Sequence, residues 1–123
     1  MKNLLLVGLG GFLGTILRYL SSTLFGRLFP FASFPYSTFL VNIAGSMVIG
    51  LVFGLSEKYQ FINPSWRLFW MAGFCGGFTT FSSFALENVQ MLQQSNYMAF
   101  ALYTAGSLFL CLLAVFAGLW LAR

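Results

Sequence analysis

The sequence has no histidine and no aspartate, and its only acids are Glu57 and Glu87. Acid–base catalysis needs two groups that can divide the donor and acceptor roles. A nucleophile such as Ser82 or Cys111 needs a base beside it. Neither requirement is met, so the composition argues against an enzyme. The two cysteines, Cys75 and Cys111, lie in apolar stretches without metal-site spacing, and they read as small packing residues rather than a disulfide. Charge of either sign is scarce. Only 7% of residues are charged, against about a quarter in a soluble domain, so a water-facing surface cannot be built. The six basic residues are scattered along the chain, which excludes the basic stripe of a nucleic-acid binder.

What the sequence has in quantity is hydrophobic residues, 59% of its 123, and long stretches without charge. There are 15 uncharged residues between Lys2 and Arg18, 29 from Leu28 to Ser56, 19 from Leu68 to Leu86 and 35 from Asn88 to Ala122. A membrane span needs about 20 mainly apolar residues, and a charge at mid-membrane costs ~2.5–3.5 kcal/mol or more. The stretches therefore predict an all-α integral membrane protein, a single domain over 1–123 with four spans near 3–25, 36–56, 66–90 and 97–121. Arg18 and Glu87 fall near span ends, where snorkelling can relieve them. The first stretch begins with Lys2 but lacks an A-x-A-like cleavage site, so it is expected to be retained as a helix and not cleaved as a signal peptide.

With four spans both termini share one side, which carries Lys2, Lys58, Arg67 and Arg123, and the other side carries Arg18 and Arg27. The positive-inside rule favours cytoplasmic termini, but so small a bias leaves insertion in both orientations open. Gly26, Pro30 and Pro35 mark the first connection, Asn63-Pro64 the start of the third span, and Gln93 to Asn96 the last turn. Gly10 and Gly14 on the first span, and Gly50 and Gly54 on the second, share faces at i, i+4 spacing. Close helix packing is their expected role.

Polar residues inside the spans carry more information, because they are expensive there. Thr38, Asn42 and Ser46 form an i, i+4, i+8 track on the second span, and Tyr103, Ser107 and Cys111 form another on the fourth. Interhelical hydrogen bonds, about 0.6 kcal/mol each, account for Asn42 as well as a pathway does. Two full-length tracks on two helices favour a permeation path. In the third span, Gly76-Gly77 is followed by Thr79-Thr80, four weak helix formers within five residues, which predicts a break at mid-membrane. Exposed backbone at that depth is tolerated only inside protein or along a cavity. Its carbonyls are hard oxygen ligands suited to an alkali cation. Phe78, Phe81 and Phe84 follow at i+3 spacing. Their electropositive ring edges, with hydroxyls and an amide, can replace part of the hydration shell of a small, hard anion.

The string Gly76-Gly77-Phe78-Thr79-Thr80-Phe81-Ser82-Ser83-Phe84 resembles the third-helix break of the Fluc (CrcB) family of fluoride channels. Gly14-x-x-x-Arg18-Tyr19 and Phe39-x-Val41-Asn42-x-x-Gly45-Ser46 resemble the family's first- and second-helix motifs. The resemblance spans the whole chain. It implies a passive fluoride-selective channel in a bacterial inner membrane, relieving fluoride toxicity, built as an antiparallel dual-topology homodimer with two pores. It implies a central sodium ion held by the carbonyls of Gly76 and Thr79. Carried over by position, the fluoride pathway comprises Asn42, Phe81, Phe84, Ser82, Ser83, Tyr103 and Ser107, with Arg18 a structural or vestibule cation. A hydroxyl is expected where this chain has Cys111, whose thiol is a weaker donor. The alternative is a small multidrug-type proton-coupled exporter, also of four spans. It needs a membrane-embedded carboxylate, and the first span has no acid at all.

Overall fold

The computed structural model describes residues 1–60 and 62–123, and among them every regular element is helical. Helix α1 (Lys2–Leu28) runs three residues beyond its expected end and takes in Gly26. Helix α2 covers Tyr36–Lys58. The third crossing is assembled from pieces. A short α3 (Pro64–Arg67) leads into a π-helical stretch (Leu68–Cys75) and a last α-turn, α4 (Gly76–Phe78). After two extended residues the chain resumes as α5 (Phe81–Gln93), and α6 (Tyr97–Leu121) completes the chain.

The ends of these helices follow from local chemistry. The Asn63 side chain accepts from the Trp66 N–H at 3.0 Å, and Pro64 fills the first helical position, where its missing N–H does no harm. Asn96 caps α6 in the same way through the Ala99 N–H. The reversal between α5 and α6 turns at Ser95, which has φ 56°.

Three helices, α1, α2 and α6, are each long and apolar enough to cross a membrane. Leu4, Phe12, Phe109 and Phe116 are each more than half exposed, a degree of apolar exposure suited to lipid. The protein is a multi-pass membrane protein. The remaining crossing, the third in chain order, is the pieced one, which no single helix provides because it is interrupted in the middle.

The glycines decide which helices pair. A methyl at Gly10 or Gly14 would overlap the backbone of the third crossing at Phe69 or Phe74. From the other side, a methyl at Gly73 would lie 2.7 Å from the Val7 carbonyl. Residues 64–78 are thus docked backbone to backbone on α1. Gly50 and Gly118 do the same between α2 and α6, where a methyl on Gly118 would reach the Leu51 amide at 2.6 Å. Gly54 meets Ala122. Small residues permit this approach where lipid offers no hydrophobic drive between helices. Helix α5 contains no glycine and is held differently, by side chains on α6 and α2.

Candidate functional site

The break falls at Thr79 and Thr80, and Gly76 and Gly77 remain helical. The expectation had combined all four residues. The glycines serve packing and open space instead: Gly77 abuts Gly11 and Thr15, and nothing lies within 4 Å of a methyl placed at Gly76. Thr79 (φ −87°, ψ 161°) and Thr80 (φ −152°, ψ 119°) are extended. The Thr79 N–H and hydroxyl both donate to the Cys75 carbonyl, at 2.9 and 2.7 Å, which closes the leading half. The Thr80 hydroxyl accepts from the Ser83 N–H at 3.2 Å and so caps α5.

Asn42 holds the extended segment in place. Its amide nitrogen donates to the Thr80 carbonyl at 3.1 Å, and its amide oxygen accepts from the Thr80 N–H at 2.8 Å. An extended residue offers both groups on one edge, as it does to a neighbouring strand, and a carboxamide matches that edge. Without this clamp two backbone groups would be stranded at mid-membrane. Arg18 deals with another exposed group: its Nε donates to the Gly77 carbonyl at 2.8 Å. A guanidinium at the C-terminal end of the leading half also complements that end's negative dipole. Gly76, in the last α-turn, and Thr79, in the extended segment, flank the Gly77 carbonyl on either side. Backbone carbonyls at a helix break are hard oxygens of the kind that suits an alkali cation.

Beside the break lies a cavity of about 450 Å³. Asn42 and Ser46 from α2, Gly76, Thr79, Thr80, Phe81 and Phe84 from the third crossing, and Ser107 and Cys111 from α6 line it. Two members of each polar track, Asn42 with Ser46 and Ser107 with Cys111, therefore share one space with the break. No lysine, arginine or carboxylate is in the lining. Phe84 is buried, whereas Phe81 is 77% exposed and stands out from the protomer beside the cavity. Their rings lie 5.6 Å apart and are tilted. Ser46 donates to its own helix at the Asn42 carbonyl. Ser107 differs: its hydroxyl is buried with no hydrogen-bond partner. Cys75 also reaches the cavity, but it and Cys111 sit on elements that do not touch each other, and both thiols are free; a disulfide needs closer approach.

Some sequence-derived candidates lie outside this lining. Tyr103 is fully buried behind Phe84, with ring centroids 5.0 Å apart. Ser82 is exposed, with its hydroxyl 3.4 Å from that of Thr80, and Ser83 enters through its backbone cap. Arg18 is on the opposite side of the break, against Gly77.

Sequence reasoning treated Arg18 and Glu87 as charges relieved by snorkelling. Both also have hydrogen-bond partners within the protein. Glu87 accepts from the Thr38 hydroxyl at 2.7 Å and from the Tyr103 hydroxyl at 2.6 Å, so it ties the heads of the two tracks together. The signal was available: an acid within an apolar stretch is a functional-site hypothesis by default. Asn88, bonded to Thr104 at 2.9 Å, was missed because it stands in no track.

Comparison with known proteins gives a consistent result. A family model described as CrcB-like protein, Camphor Resistance (CrcB), matches residues 5–119. A fluoride-specific ion channel FluC from Flavobacterium psychrophilum is 43% identical over 123 residues, covering 100% of this chain and 98% of the relative. Proteins of the same name from Leptospira interrogans, 39% identical over 122 residues, and Campylobacter jejuni, 43% over 118, each align over at least 96% of this chain and 95% of the relative.

Proposed function

Because this chain belongs to the CrcB family, we propose that it is a passive fluoride-selective channel of a bacterial inner membrane, which lets cytoplasmic fluoride leave and so reduces its toxicity. In this reading two copies assemble as an antiparallel dual-topology dimer with two pores.

The observation that carries the reading is the Ser107 hydroxyl, buried beside the cavity without an acceptor. A buried hydroxyl left unpaired is unfavourable by about 1–3 kcal/mol, and a small anion in the cavity is the acceptor it lacks. Phe81 and Phe84 add ring edges, whose partial positive charge suits an anion. The absence of a fixed cation from the lining keeps binding weak enough for the ion to move on, as conduction requires. Asn42 contributes by holding the break open, since both ends of its amide are engaged by Thr80. The exposed ring of Phe81 supports a second copy closing the pathway. A sodium ion at the dimer centre would be held by the carbonyls of Gly76 and Thr79. Its chemistry there would be electrostatic, a positive charge beside the backbone oxygens of the break.

The test is fluoride efflux from liposomes holding purified protein, read with a fluoride electrode, with valinomycin balancing charge and a parallel chloride assay. Fast fluoride release without chloride release, lost in Phe81→Ile, is the expected result. No fluoride release from folded dimer would sink the proposal.

A further inference from the structure

Helix α5 carries the two ring-bearing residues of the site, and unlike the π-helical stretch and α4 it has no glycine dock. Its buried stripe is Phe84, Asn88 and Met91, the i, i+4, i+7 pattern of a core-facing helix. The middle position is an amide where an apolar side chain would pack more cheaply. Asn88 is 7% exposed. Its nitrogen donates to the Phe84 carbonyl at 3.0 Å, and its oxygen accepts from the Thr104 hydroxyl at 2.9 Å.

This pair is the second of two successive rungs. Glu87 accepts from Tyr103, and the next residue, Asn88, accepts from the next residue, Thr104. Consecutive residues point about 100° apart around a helix. A single rung leaves α5 free to roll about it, and two rungs diverging from the contact line do not. Neither Asn88 nor Thr104 lines the cavity, so neither is placed to touch an ion there.

We infer that the Asn88–Thr104 pair is a positioning device that fixes the rotation of α5 on α6, and with it the orientation of the Phe84 ring beside the cavity. Its functional readout rests on the fluoride-channel reading. Its geometric readout does not.

The experiment compares Thr104→Val, which removes the hydroxyl at nearly constant shape, with Thr104→Ser, which keeps it. Each is reconstituted for fluoride and chloride efflux and labelled with 4-fluorophenylalanine at position 84 for fluorine NMR. Thr104→Val is expected to slow fluoride efflux about threefold, the size of one intramembrane hydrogen bond, to admit measurable chloride, and to broaden or split a fluorine line that is single in the parent. Thr104→Ser restores all three. The inference is overturned if Thr104→Val matches the parent in flux, selectivity and line shape, or if Thr104→Ser fails as Thr104→Val does. Should Thr104→Val not assemble, the double variant Asn88→Leu/Thr104→Val strands no polar group and is judged by the same criteria. If the parent passes no fluoride, the channel reading fails, and the fluorine line alone decides the positioning role.

Discussion

The two halves of the third crossing are held by opposite means. Residues 64–78 lie against α1 with backbones in contact, through Gly10, Gly14, Gly73 and Gly77. Helix α5 lies against α6 and α2 through side chains: Glu87 with Thr38 and Tyr103, Asn88 with Thr104, and Phe84 on Tyr103. Backbone contact leaves no slack, because any added atom must displace a helix. Side-chain rungs hold orientation but let the chemistry of each position be changed separately. The rigid half leads into the break and the adjustable half presents the rings. Damage to the first should therefore be seen as lost folding, and damage to the second as altered conduction.

The largest effect is expected at the rigid contact. Gly14→Val places a branched side chain against the backbone at Phe74 and Phe78 and should destabilise the protein by ~3 kcal/mol or more. A thermal melt in detergent, with the yield of folded protein, reads this directly. A melt unchanged from the parent would break the distinction between the halves.

Next comes the joint between them. Asn42→Leu removes both partners of Thr80 and should lower stability by roughly 2 kcal/mol. Asn42→Gln, with its amide displaced by one methylene, should recover little of this, because both bonds need the amide at one depth. Melts of the two variants side by side make the comparison, and full recovery by glutamine would refute the edge-matching clamp.

Smaller still is Glu87→Gln on the adjustable half. One of the hydroxyls of Thr38 and Tyr103 then faces an amide oxygen and the other an amide NH2, from which it must accept instead of donating, at a cost of about 1 kcal/mol. Fluoride efflux should slow by less than about tenfold, the flux equivalent of 1.4 kcal/mol, and a pH gradient should drive no uptake of a cationic dye. Loss of a proton-driven dye flux in this variant, present in the parent, would instead favour the exporter.

The smallest effect on the protomer is expected at Gly76→Ala. A methyl there meets open space and improves helix propensity by about 1 kcal/mol, so the protomer should fold as well or better. Its neighbour Gly77, packed on Gly11 and Thr15, has no such freedom, and Gly77→Ala should destabilise. If a second copy and a sodium ion do meet this surface, Gly76→Ala should weaken dimerisation while the protomer stays folded. Size-exclusion chromatography over a dilution series separates these outcomes.

Much of the architecture was legible along the chain. Four apolar stretches separated by charges gave four crossings, because the bilayer penalises charge strongly enough for spacing alone to mark its boundaries. The polar tracks and the weak-helix run at 76–80 were legible for the same reason. Glu87 was visible as an acid in an apolar stretch, but its partners were not, since Thr38 is 49 residues away and Tyr103 is 16.

The sequence by itself determined the membrane environment, the number of crossings, the region of the break and the polar residues available to a pathway. These are set by local composition and by the energetics of each segment in lipid. Tertiary structure decided the rest: that the break falls on Thr79 and Thr80, that Asn42 clamps it from 38 residues away and Arg18 caps it from 59, and that Ser107, among the described residues, is left with an unpaired buried hydroxyl. Whether a polar group is spent on packing or left available depends on what approaches it from other helices, and no local pattern encodes that approach.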